Sequence, residues 1–189
     1  MKIYAVVGSR ALPPCGGQSI TRACDSLIRA GGTLVVGCAA GADAAVLSAG
    51  LKGDYVKSVK CFAAFDFDGF GACKVSAVGI VKEFEAAGGA VTWLAGGKLA
   101  VPIRARLAMR AKVVVSEATA GCVGFLSSPD SVGTTRALEL AVKRGLKVVV
   151  FPLEFDPSLL PSLGAGCWLP CKSGGVWSSA WVWSPTSFF

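Results

Sequence analysis

Thr33-Leu34-Val35-Val36-Gly37-Cys38-Ala39-Ala40-Gly41-Ala42-Asp43-Ala44-Ala45 is the stretch on which the fold reading turns. It begins with a short apolar, β-branched run, which suits a strand covered on both faces. Small residues follow without interruption, so the backbone can turn tightly and present its amides. Asp43 is a good residue to open a helix, predicted here over Asp43–Ala49. A buried strand, a small-residue turn and a helix in succession form one β-α unit.

The same unit recurs outward from this point. Strands are predicted at Lys2–Val7, Thr33–Val36, Ser58–Phe62, Ala90–Leu94, Cys122–Leu126 and Lys147–Phe151. Helices are predicted at Gln18–Ala30, Val75–Ala87, Pro102–Ala118 and Thr134–Arg144, with glycine stops at Gly31, Gly88 and Gly145. Val113–Val115 reads either as the end of a helix or as a strand. Alternation of this kind predicts a Rossmann-like α/β fold, a mostly parallel sheet flanked by helices, over residues 1–152. Residues 153–189 differ: four of the five tryptophans, Trp168, Trp177, Trp181 and Trp183, lie there. Their loose alternation predicts an extension that packs on the domain's edge or on a partner subunit.

Composition narrows the chemistry. The chain has 189 residues, 53% hydrophobic and 16% charged, which suits one folded domain. No apolar run approaches the roughly 20 residues of a membrane span, so no membrane partner is expected. The eight cysteines are scattered, as in a reduced cytoplasmic protein. Cys167 and Cys171 form the one close pair, with no histidine or second pair to complete a metal site. The absence of histidine excludes every Ser-His-Asp, Cys-His and His-metal mechanism. A net charge of +7 favours an anionic partner.

Three glycine-rich segments each follow a predicted strand, where open α/β sheets hold their ligands. Gly8, Ser9 and Arg10 combine a close backbone approach, a hydroxyl and a guanidinium fork. Gly37, Ala40, Gly41 and Asp43 surround a helix start, a natural anion site; Asp43 would cap the helix or bind a ribose hydroxyl. Ser131, Gly133, Thr134 and Thr135 bring hydroxyls to another helix start. Arg104 and Arg106 stand early on a helix beside the same edge and could clamp a phosphate. One pocket shared by the three loops is the economical expectation.

The order of these motifs resembles the SLOG superfamily. That group gathers DNA-processing protein A (Smf), the Lonely Guy phosphoribohydrolases and the YpsA-like Rossmann proteins. The resemblance covers residues 2–152, and the Gly-x-x-Gly-Ala-Asp segment ending at Asp43 looks most like the DNA-processing and YpsA-like branches. It implies a nucleotide-type ligand and frequent homodimers or higher homo-oligomers. The Lonely Guy enzymes carry a catalytic glutamate where this chain has Ala137, and Glu139 lies about 200° further round the helix. No catalytic residue and no cofactor is therefore assigned. The leading expectation is a protein that senses or sequesters a phosphate-bearing nucleotide. The alternatives are a phosphoribohydrolase-like N-glycosidase and a DNA-processing-type single-strand DNA binder.

Overall fold

The computed structural model describes residues 1–53 and 55–186. The chain runs β1 (Lys2–Gly8), α1 (Gly16–Arg29), β2 (Gly32–Val36), α2 (Ala42–Lys52), β3 (Val59–Phe62), α3 (Val75–Ala86) and β4 (Ala90–Thr92). It continues through α4 (Ile103–Glu117), β5 (Gly121–Leu126), α5 (Val132–Lys143), β6 (Val148–Pro152), β7 (Gly166–Pro170) and β8 (Trp181–Pro185). One eight-stranded sheet results, in the order β4-β3-β2-β1-β5-β6-β8-β7. The strands from β4 to β6 are parallel; β8 pairs antiparallel with β6, and β7 with β8.

Strand periodicity explains why both faces are covered. In β1, Val6 packs on one face while Ala5 and Val7 pack on the other. In β2, Leu34 and Val36 share the face of Val6, and Val35 takes the opposite one. The first face meets Ile20, Leu47, Val81 and Phe84 from α1, α2 and α3. The second meets Val114, Val115, Leu138 and Ala141 from α4 and α5. A strand with two apolar faces needs helices on both, and this is the Rossmann-like arrangement read from the sequence.

Several boundaries shift for physical reasons. Val113–Val115 belongs to α4, where Val114 and Val115 are fully buried, so no strand forms there. The helix expected at Asp43–Ala49 is α2, which starts at Ala42 behind Gly41 at its N-cap. Asp43 caps nothing, because its carboxylate is drawn into the core. Gly41 has φ +80°, and a Cβ there would stand 2.3 Å from the Ser9 carbonyl oxygen. Only glycine lets the loops after β1 and β2 close on one another.

The Trp-rich segment continues the sheet. Val149 and Val150 of β6 pair with Val182 and Trp181 of β8. Trp183 is 6% exposed and meets Trp168 edge-on at 5.2 Å between ring centres. Val176 and Trp177 lie in a 3-10 turn, not a strand, and the Trp177 indole N–H donates to the Ser26 hydroxyl of α1. Residues 187–189 of the expected extension lie outside the described residues. The Trp183 indole N–H is buried with no partner. Trp183→Ala should therefore cost about 3–5 kcal/mol in denaturant unfolding, and Trp183→Phe much less, since it also discards the unpaired donor. Equal losses for the two variants would show that ring volume is not what holds the extension down.

Candidate functional site

Ser9 joins the loops at the carboxyl edge of the sheet. Its amide donates to the Phe125 carbonyl at 2.9 Å, and its carbonyl accepts from the Ala42 amide at 3.0 Å. Its hydroxyl accepts from the Ser127 amide and shares a hydrogen bond with the Ser131 hydroxyl, both at 3.0 Å. One buried serine thus ties the loops after β1, β2 and β5 together, and its hydroxyl is spent within the protein.

Beneath the turn after β2 lies an ion pair that the sequence reading did not anticipate. Arg110 of α4 approaches Asp43 of α2, Nη1 to Oδ2, at 3.2 Å, with both side chains almost wholly buried. The same carboxylate oxygen accepts from the Ala39 amide at 2.9 Å, which fixes the turn. Burial pushes the Asp43 carboxyl above its ordinary range; Arg110, the Ala39 amide and Arg10 pull the other way. Burial also opposes the charge on Arg110, but Asp43 offsets this and holds the guanidinium protonated. Gly37 makes the approach possible, since a Cβ there would fall 1.6 Å from Arg110 Nη1.

Arg106, one helical turn before Arg110, is 4% exposed. Its Nε donates to the Val101 carbonyl and its Nη2 to the Gly71 carbonyl, both at 2.9 Å, and its Nη1 bonds the Ala64 carbonyl. The guanidinium therefore staples the loop after β3 to the start of α4 and does not present a fork to a ligand. Arg104 is exposed.

Where these elements meet, a cavity of about 240 Å³ opens. Arg10 and the Cys38–Ala40 turn form one wall, Phe65, Cys73, Lys74 and Ala77 another, and Ile103 and Leu107 a third. Its position outside the ends of β1, β2 and β3 is where open α/β sheets hold ligands. Three helices, α2, α3 and α4, begin at its rim, so three positive dipole ends converge there. The lining carries two cationic side chains and no carboxylate. The amide of Ala40 has no protein partner among the described residues. The arrangement can hold an oxyanion.

The expected pocket and this cavity overlap in part. Arg10 and Ala40 line it. Gly8, Ser9, Gly37, Gly41 and Asp43 build the loops behind it without lining it. Ser131, Gly133, Thr134 and Thr135 lie at the start of α5, bonded to Ser9 through Ser131, and outside the lining. A wall comes instead from residues 65–77, where the sequence reading placed no site residue. A signal was present: Phe65, Phe67 and Phe70, alternating with Asp66 and Asp68, form an aromatic cluster that leads into Lys74. For Arg110, the signal was the i, i+4 spacing from Arg106, with Leu107 and Val114 completing one inward face.

No family model and no curated protein matches the sequence. Solved structures match the fold. DNA processing protein A from Helicobacter pylori superimposes at TM-score 0.66 over 82% of this chain and 67% of that one, with 18% identity. DNA processing protein A (DprA) from Streptococcus pneumoniae does so at 0.62, over 84% of this chain and 53% of that one, with 21% identity. The protein shares the fold of DNA processing protein A. The Helicobacter pylori protein has a described single-stranded DNA binding mode. The chain spans about two thirds of that protein and about half of the pneumococcal one. Among the described residues, no helix is long and apolar enough to cross a membrane.

The ion pair sets a pH-dependent expectation. Arg110→Met leaves Asp43 buried and unpaired, which should cost about 3–5 kcal/mol at pH 7. A carboxyl whose folded pKa is raised contributes stability that is fully present below its unfolded pKa, about 3.9. That contribution is lost as pH rises through the folded value. The Arg110→Met deficit should therefore shrink on acidification, and Asp43→Asn combined with Arg110→Met should recover much of it. Urea unfolding at several pH values checks this; a deficit that does not change with pH would mean the cost is packing, not charge.

Proposed function

We propose that the protein binds single-stranded DNA, with a backbone phosphate held in the cavity between Arg10, Lys74 and the Ala39–Ala40 turn. The observation that carries the reading is the cavity's electrostatics: two cations, three helix N-termini and no lining carboxylate. Arg10 and Lys74 are both exposed, so they can reach a strand without first breaking protein contacts. The net charge of +7 adds a long-range field of the same sign. The shared fold with a DNA-binding protein supports the same reading.

This reading takes the single-strand alternative over the nucleotide-sensor expectation, and size is the reason. A cavity of about 240 Å³ falls below the roughly 300–1,000 Å³ of pockets that enclose a small-molecule ligand. It suits a phosphate with part of its sugar, while the rest of the polymer runs over the surface. The small-residue turn at the start of α2 would serve a free nucleotide phosphate equally well, so the two ligands are separated by experiment.

Fluorescence anisotropy with a labelled 20-nucleotide oligo-dT is the measurement. Arg10→Ala and Lys74→Ala should each weaken binding about tenfold, as loss of a charge-assisted contact does. Each should also reduce the slope of log K against log salt by about 0.7, the value for one phosphate contact on a single strand. Undiminished binding in both variants would move the strand away from this cavity. Tight binding of free nucleotides with none of oligo-dT would restore the sensor reading.

A further inference from the structure

We infer that Phe70 is a base-stacking platform beside the phosphate cavity. The inference rests on the single-strand reading and adds the residue that would contact bases. The loop after β3 leaves the cavity wall at Phe65 and returns to it at Cys73 and Lys74. Between those ends it carries two exposed aromatic side chains, Phe67 at 54% and Phe70 at 74% exposure. Val75, 89% exposed, and Leu99, 41% exposed, extend the apolar strip on the two sides of Lys74 and the loop base.

The loop is held firmly although its tip is exposed. The Asp66 carboxylate accepts from the Phe70 amide at 2.7 Å, and the Asp66 amide donates to the Phe70 carbonyl at 3.2 Å. The Gly69 amide donates to the Asp66 carbonyl at 3.0 Å. Arg106 bonds the carbonyls of Ala64 and Gly71 on the two flanks. The backbone of Phe70 is thus fixed before any ligand arrives, which lowers the entropy lost on binding.

The two phenylalanines differ in availability. Phe67 already meets the Trp93 ring edge-on at 5.4 Å, and the Lys82 ammonium lies 4.7 Å from its ring centre. Phe70 has no aromatic or cationic partner among the described residues. The Asp66 carboxylate is occupied by the Phe70 amide and Asp68 is exposed in the same loop; the Phe70 ring itself offers an unpartnered face near Lys74, and stacking of this kind accepts any base.

The test compares oligo-dT with an abasic oligonucleotide of equal length, which keeps the phosphates and lacks the bases. Wild-type protein should prefer oligo-dT by about 5- to 150-fold, the range expected for one stacked base. Phe70→Ala should lose that preference while binding the abasic strand as wild type does, and Phe70→Tyr should retain it. Equal affinity of wild type for both strands overturns the stacking inference and leaves the phosphate reading standing. No binding of either strand overturns both. A Phe70→Ala variant that keeps the preference, or that changes only the sedimentation coefficient, assigns the strip to something other than a base.

Discussion

A buried ion pair organises the carboxyl edge of this sheet. Asp43 and Arg110 lie 67 positions apart in sequence (110 − 43) and come from helices on opposite faces. Their contact runs past the ends of the strands, beneath the turn that begins at Gly37. The carboxylate also holds the Ala39 amide, so one interaction sets the conformation of the turn and the position of α4 against it. Loss of either partner would leave the other charge buried and uncompensated, which makes the arrangement intolerant of a single replacement.

Arg106 extends the same logic to the next loop. Its guanidinium is held by backbone carbonyls alone, and it joins residues 64, 71 and 101, three segments without a common strand. Arg106 thus serves the backbone and Arg110 serves Asp43, leaving Arg10 and Lys74 as the cations exposed to the cavity. Asp43, behind the cavity wall, is paired to Arg110, so it does little to cancel the positive ends of α2, α3 and α4. Asp43 is turned inward, and no carboxylate among the described residues lines the cavity.

The Trp-rich segment solves a different problem. A parallel sheet ending at β6 would offer an open edge, a template for unwanted pairing. The β7–β8 ribbon covers that edge by antiparallel pairing and lays Trp183 over it. Trp177 reaches across to α1, so the ribbon is anchored on two elements. The exposed edge of the sheet is thereby moved to β7, a short strand bearing Pro170, which limits further pairing.

Within residues 1–152 the sequence by itself determined most element types, their order and the two-faced burial of the central strands. Those features follow from patterns within a few residues: wholly apolar β-branched runs, helical spacing and glycine stops. It also placed Arg10 and Ala40 at the carboxyl edge of the sheet, in the loops after β1 and β2. Tertiary structure decided which charges face inward. Arg104, Arg106 and Arg110 share one helix and look alike in sequence, yet one is exposed, one binds carbonyls and one is paired to Asp43. It decided, too, that residues 65–77 close the cavity in place of residues 131–135. A side chain's fate in these cases depends on a partner dozens of residues away. Local periodicity carries no record of that partner; the packing of helices on the sheet supplies it.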